Sequence, residues 1–188
     1  MPAQLSVPGR RLLLRLKEPI HSAITVLATN LDPDGPQEAY FDPSGQHHAI
    51  GNEPVTEPPV ASLTVTEEYL SDWQNEWYTI NMEGLDDDDS EPEDMPPTFE
   101  PLVVTASNGR FVSIQDYVGA VYPWLMQRRE QILRARHVAE EDYEPGADGE
   151  EEEALLVALD DPELVRAEDE GEWLATLRGI FEARSQQN

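Results

Sequence analysis

Two runs of like charge decide how this chain can fold. Residues 83–100 carry nine carboxylates and no base, and residues 140–153 carry nine more, again with no base. Both runs are broken by Pro or Gly and hold almost nothing apolar. Such segments cannot bury enough surface to offset the entropy of ordering. The sequence therefore predicts a disordered acidic insert at 83–97, "EGLDDDDSEPEDMPP", and a disordered acidic linker at 140–153, "EEDYEPGADGEEEE". The core must come from what lies before, between and after them. A third, milder loop is expected at 30–59, which is dense in turn-forming residues.

The other charges are segmented too. Residues 19–82 carry ten acids and no base, whereas residues 1–18 carry four bases and one acid. Residues 101–137 carry five arginines and two acids. The net charge of -27 opposes compaction. It disfavours nucleic acid or an anionic membrane as a direct ligand and makes basic protein surfaces the natural partners. The absence of cysteine excludes disulfides, thiolate catalysis and zinc–cysteine sites. Arg15 and Lys17 interrupt the N-terminal apolar run, so no signal peptide is expected. No stretch approaches the roughly 18 apolar residues of a membrane span. The expectation is a soluble protein of the cytoplasm or nucleus, neither secreted nor membrane-bound.

Between the acidic runs lie candidate elements. "RRLLLRLK" alternates Leu12, Leu14 and Leu16 against Arg11, Arg15 and Lys17, as in a half-buried strand with a basic outer face, suited to a sheet edge. "AITVLAT" (23–29) is β-branched, and "VASLTVT" (60–66) alternates, so both read as strands. "EWYTINM" (76–82) reads as a fourth strand. Just before it, Tyr69, Trp73 and Trp77 stand four apart, which predicts a helix over about 67–75. "PLVVTA" and "RFVS" flank an Asn108-Gly109 turn and predict a hairpin. C-terminal helices follow: 114–137, then 151–159, then one from Asp161-Pro162 to about Arg184 with Trp173, Leu177, Ile180 and Phe181 on one face. The class is α+β in a single domain over 1–188. Its small, mainly antiparallel sheet has strands within 10–82 and 101–113, covered by C-terminal helices, the last of them a helical segment at 154–185.

The helix at 114–137 has the clearest grammar. Ser113 and Asp116 form an approximate capping box. Ile114, Tyr117, Val118, Val121, Tyr122 and Leu125 follow at helical spacing. Pro123 lies inside and cannot donate to the carbonyl of Gly119, so a kink or a restart at Pro123 is expected. The bend would let Arg128, Arg129, Arg134 and Arg136 reach solvent. Read plainly, this is a core helix; read functionally, those four arginines are candidate partner-docking residues, with Trp173, Leu177 and Phe181 of the last helix.

Catalytic chemistry has no motif here. There is no nucleophile elbow, P-loop or dinucleotide fingerprint. Asn30, Asp32, Asp34 and Gly35 have calcium-loop spacing, but Phe41 stands where the bidentate Glu belongs. The adjacent His47 and His48 diverge in direction, and His21 and His137 have no ligand spacing. No catalytic, metal or cofactor residue is therefore assigned. Ser90, with Glu93 three residues on and four aspartates before it, is a candidate for acid-directed phosphorylation.

The segment "PLVVTASNGRFVSIQDYVGAVYPWL", 101–125, resembles segments of uncharacterised fungal proteins in which a short hairpin enters a helix through a Thr/Ser-Ile/Val-x-Asp step. The resemblance implies no activity and carries over no functional residue. From the residues alone, the expected role is a non-catalytic interaction module that binds basic partners through salt-sensitive contacts. Two alternatives stand beside it. One is a histone-chaperone-like or nucleic-acid-mimicking acidic protein. The other is a small enzyme or ligand-binding protein with a pocket between sheet and helices, recognisable by two or three polar groups converging in it.

Overall fold

A computed structural model describes residues 3–17, 19–29, 31–82, 98, 100–139 and 154–186, with side chains for all of these except 80–82 and 137–139. The acidic tracts 83–97 and 140–153, with Ser90, lie outside the described residues. In chain order the strands are β1 (Gln4–Leu5), β2 (Leu12–Leu14), β3 (Ile24–Leu27), β4 (Gln37–Ala39), β5 (Thr56–Glu57), β6 (Ser62–Glu67), β7 (Leu102–Thr105), β8 (Leu155–Ala158) and β9 (Leu164–Asp169). The helices are α1 (Ile20–Ala23), α2 (Glu68–Met82), α3 (Ile114–Met126), α4 (Arg129–Ala139) and α5 (Glu170–Ser185).

One sheet has the order β2-β3-β4 and another β7-β6-β9-β8, while β1 and β5 pair as a small ribbon. The two larger sheets meet where Arg15 bridges Leu156 and the Leu16 N–H donates to the Leu155 carbonyl at 2.9 Å. All strand pairs are antiparallel except β6 with β9, which is parallel. The architecture is α+β, as the sequence predicts, with β8 and β9 supplied from beyond the expected strand region.

Alternation along β2 and β8 builds two cores on opposite faces. Leu12, Leu14, Leu155 and Val157 join the larger core with Leu70 and Trp73 of α2, Val118 and Leu125 of α3, and Ile132 of α4. Leu13, Leu156 and Ala158 point the other way, onto Trp173 and Leu177 of α5. A strand covered on both faces reads as a continuous apolar run. This explains two corrections. The segment 151–159, expected as a helix, contains the strand β8. "RRLLLRLK", expected as a half-buried edge, is a 3₁₀ turn at Gly9–Arg11 followed by three fully buried leucines.

Four more expectations are corrected. "EWYTINM" is the second half of α2, so the four-residue spacing of its aromatics prevails over local β-propensity. The last helix starts at Glu170, capped by the Asp169 carboxylate on the Glu172 N–H (3.1 Å), and the preceding Asp161-Pro162 leads into β9. The Asn108-Gly109 turn is present, with Gly109 at φ 68°, but the chain leaving it does not return along β7. Instead the Val112 N–H donates to the Val60 carbonyl at 2.8 Å, and Ser113 bridges Pro54. Pro123 neither stops nor restarts the helix: α3 runs on to Met126, and the break falls at Gln127-Arg128. The proline is exposed, and Gly119, four residues before it, has nothing within 4 Å of where a Cβ would stand.

Candidate functional site

The basic residues show where the site is not. Arg15 pairs with Glu170 at 2.7 Å and donates to Thr25. Arg166 bridges Glu68 and Glu168, and Arg178 forks onto Asp34 at 2.7 and 2.9 Å. Arg11 and Arg129 donate to the carbonyls of Leu27 and Leu16. The guanidinium groups of Arg128, Arg134 and Arg136 lie 5.0, 5.5 and 5.8 Å from the ring centres of Trp124, Trp73 and Tyr69. The four arginines expected to reach solvent are thus tied to the fold: Arg136 is buried, and Arg128 and Arg129 are half-buried. Only Arg134 is exposed, and its head rests on an indole.

Three arginines remain. Among the described residues, Arg10, Arg110 and Arg184 have no side-chain hydrogen bond or ion pair. Arg110 sits on the 106–111 turn. Arg10 and Arg184 line one cleft of about 220 Å³ beside α5, at the end of the sheet where β2 begins and β8 stops.

The cleft follows from the sequence of α5. Trp173, Leu177, Ile180 and Arg184 recur at i, i+4, i+7 and i+11, a single stripe along the helix. The first half of the stripe closes on the sheet, with Trp173 8% and Leu177 4% exposed. Ile180, at 36%, is exposed and lines the cleft. Leu12, the first residue of β2, and Leu159, just beyond β8, line it from the larger core. Arg10, from the 3₁₀ turn before β2, and Asp160, after Leu159, add charge at the lining.

The remaining wall is Leu31, whose φ is 63°. A leucine in the left-handed region costs about 1–2 kcal/mol. Its surroundings hold it there: Leu31 packs on the α5-side core, and three residues later Asp34 is clamped to Arg178 of α5. The Arg178 hydrogen bond and charge keep the Asp34 carboxyl below its ordinary value. Strained backbone that lines a cleft is one of the marks of a working surface. Asp34, one of the calcium-like positions, is the carboxylate this arginine engages.

A second cluster of ionisable groups is structural. Glu67, at the end of β6, is fully buried. Its two oxygens accept the N–H groups of Leu70 (2.9 Å) and Ala167 (3.4 Å), so it caps α2 and ties that helix to β9. Burial pushes its carboxyl up to about 7, against those hydrogen bonds and with the help of Glu68 and Asp72. Nearby, the Tyr69 hydroxyl donates to Glu168 at 3.1 Å, and burial with that carboxylate raises it to about 12. The histidine pair diverges as expected. His48 Nε2 meets Glu38 at 2.9 Å, while His47 Nδ1 meets the His48 carbonyl at 2.9 Å. Among the described residues no three His, Asp or Glu side chains are grouped to hold a metal.

Of the residues singled out in the sequence, Trp173 and Leu177 form a wall of the cleft and half-buried Phe181 lies beside it on α5. Arg128, Arg129, Arg134 and Arg136 lie on α4 and the break before it, and none lines the cleft. Sequence reasoning missed Arg10, Leu31, Asp160 and Arg184. For Arg184 a signal existed: it is an arginine that continues an apolar stripe. No family model, curated protein or solved structure matches the chain. The fungal resemblance of residues 101–125 therefore rests on those residues alone, and the cleft is read from its own chemistry.

Proposed function

We propose that the described domain is a non-catalytic binding module, and that the cleft between α5 and the sheet takes a compact apolar molecule bearing an anionic group. One observation carries the reading. In a chain of net charge -27, two arginines without an internal partner among the described residues line the same apolar cleft. The volume of about 220 Å³ lies between the roughly 150 Å³ cavity that accepts benzene and the roughly 300 Å³ at which drug-sized pockets begin. A single ring or a short branched chain is the fitting size. The arrangement of apolar floor and few polar groups is that of a ligand site.

The test is calorimetric titration of the full chain with 3-phenylpropanoate, 3-phenylpropanol and 3-phenylpropylamine. The carboxylate is expected to bind and the amine not to. Charge-assisted hydrogen bonds contribute about 1.5–3 kcal/mol each, so the double variant R10A/R184A is expected to weaken the carboxylate at least about tenfold. Equal affinity for all three, or no effect of the double variant, sinks the reading. Attraction of basic protein surfaces, proposed from the net charge, is a property of the whole surface and is independent of the cleft.

A further inference from the structure

The cleft contains a third charged group. Asp160 lines it opposite in sign to Arg10 and Arg184. Among the described residues none of the three has an ion pair or a side-chain hydrogen bond, so they share a cleft without neutralising one another. Elsewhere in this domain carboxylates and guanidiniums in reach of each other close up, as Arg15 with Glu170 and Arg178 with Asp34 do. Charges of both signs held apart around an apolar floor are complementary to a ligand that carries both signs itself.

We infer that the cleft binds a free α-amino acid with an apolar side chain. The inference rests on the binding reading given above and names its ligand class. The α-carboxylate meets Arg10 and Arg184, the α-ammonium meets Asp160, and the side chain lies against Leu12, Trp173 and Leu177. Each partner then satisfies a charge that no described side chain meets.

Two further considerations select the free amino acid. The first is the field of the protein. At net charge -27 the field works against a lone anionic group, so the anion-bearing ligand of the reading above binds more weakly without a compensating ammonium than with one, and a simple cation that is attracted then meets two arginines. A zwitterion has no net charge, so the long-range field neither helps nor hinders it, and only the local groups decide. The second is completeness. The C-terminal residue of a peptide has no ammonium for Asp160, and the N-terminal residue has no carboxylate for the arginines. Only the free amino acid offers both. The volume of about 220 Å³ suits one such molecule.

The experiment is titration of the full chain with L-phenylalanine, 3-phenylpropanoate, which lacks the ammonium, and phenethylamine, which lacks the carboxylate. Phenylalanine is expected to bind at least about tenfold more tightly than either fragment. Asp160→Asn is expected to remove that advantage by weakening phenylalanine at least about tenfold, while 3-phenylpropanoate, relieved of a like charge, binds no more weakly than before. Asp160 is exposed, so this variant is expected to melt where the parent does. If phenylalanine binds no more tightly than 3-phenylpropanoate, the amino-acid inference is overturned and the anion-binding reading stands. If neither binds, the reading itself fails and the inference falls with it. Should Asp160→Asn weaken both ligands equally, Asp160 does not read the ammonium and the inference is again overturned.

Discussion

Glu67 is a carboxylic acid placed where water cannot reach it, at the joint of β6, β9 and α2. Its carboxyl is raised from the ordinary 4.5 to about 7, first by burial. The native state therefore holds a proton that the unfolded chain releases between those values. Stability from this group is fully present below pH 4.5 and is lost as pH rises through 7. A shift of this size corresponds to roughly 3 kcal/mol. Denaturant melts of the parent are expected to show stability falling between about pH 4.5 and 7, and Glu67→Gln is expected to flatten that slope. An unchanged slope in the variant removes Glu67 as its cause. Nothing in the sequence marks this residue, because Glu67 is one of 39 acids and only burial sets it apart. Leu31 is hidden for the same kind of reason. Its positive φ lies three residues before Asp34, whose ion-pair partner Arg178 is 144 residues away, so no local pattern announces it.

At the scale of elements, what was legible was local. The box at Ser113 is as the sequence predicts: the Asp116 N–H donates to the Ser113 hydroxyl at 3.1 Å, and the Ser113 N–H donates to the Asp116 carboxylate at 3.0 Å. Burial pushes the Asp116 carboxyl up, but the bonds from Ser113 and Ser107 outweigh it and hold it below its ordinary value. Ser113→Ala is expected to cost about 1 kcal/mol, read as a lower midpoint in thermal melts. A variant as stable as the parent would mean that the box is idle. What was not legible depended on layers. β8 has no period because Leu155 and Val157 serve one core and Leu156 and Ala158 the other. Sequence alone cannot distinguish such a strand from a buried helix segment. The second half of α2 differs for another reason: Leu70 and Trp73 anchor the first half on the core, and residues 76–79 continue the same helix largely exposed, against their local β-preference.

At the scale of the molecule, charge and cleft separate. The described arginines are largely engaged within the fold, which leaves little basic relief in a chain of net charge -27. Retention on an immobilised basic protein is expected at low ionic strength. It should vanish as salt approaches 1 M, where the Debye length is about 3 Å. Absence of binding at low salt removes the basic-partner proposal and leaves the cleft untouched. Only the α5 share of the cleft could be seen in the sequence, as the stripe of Trp173 and Leu177. Arg10, Leu31 and Asp160 reach it from three other places in the chain, and no spacing rule connects them.

The seam between the two sheets has a consequence during synthesis. Leu16 must wait for Leu155 before its N–H has a partner, and Leu13 must wait for Trp173 before it is covered. At about 5–20 residues per second, the ribosome needs roughly 7–30 s to deliver residue 155 after residue 16. Throughout that interval the nascent β2 offers an open edge and a bare leucine, so the newborn chain passes through a window in which chaperones or its own neighbours on a polysome can capture it.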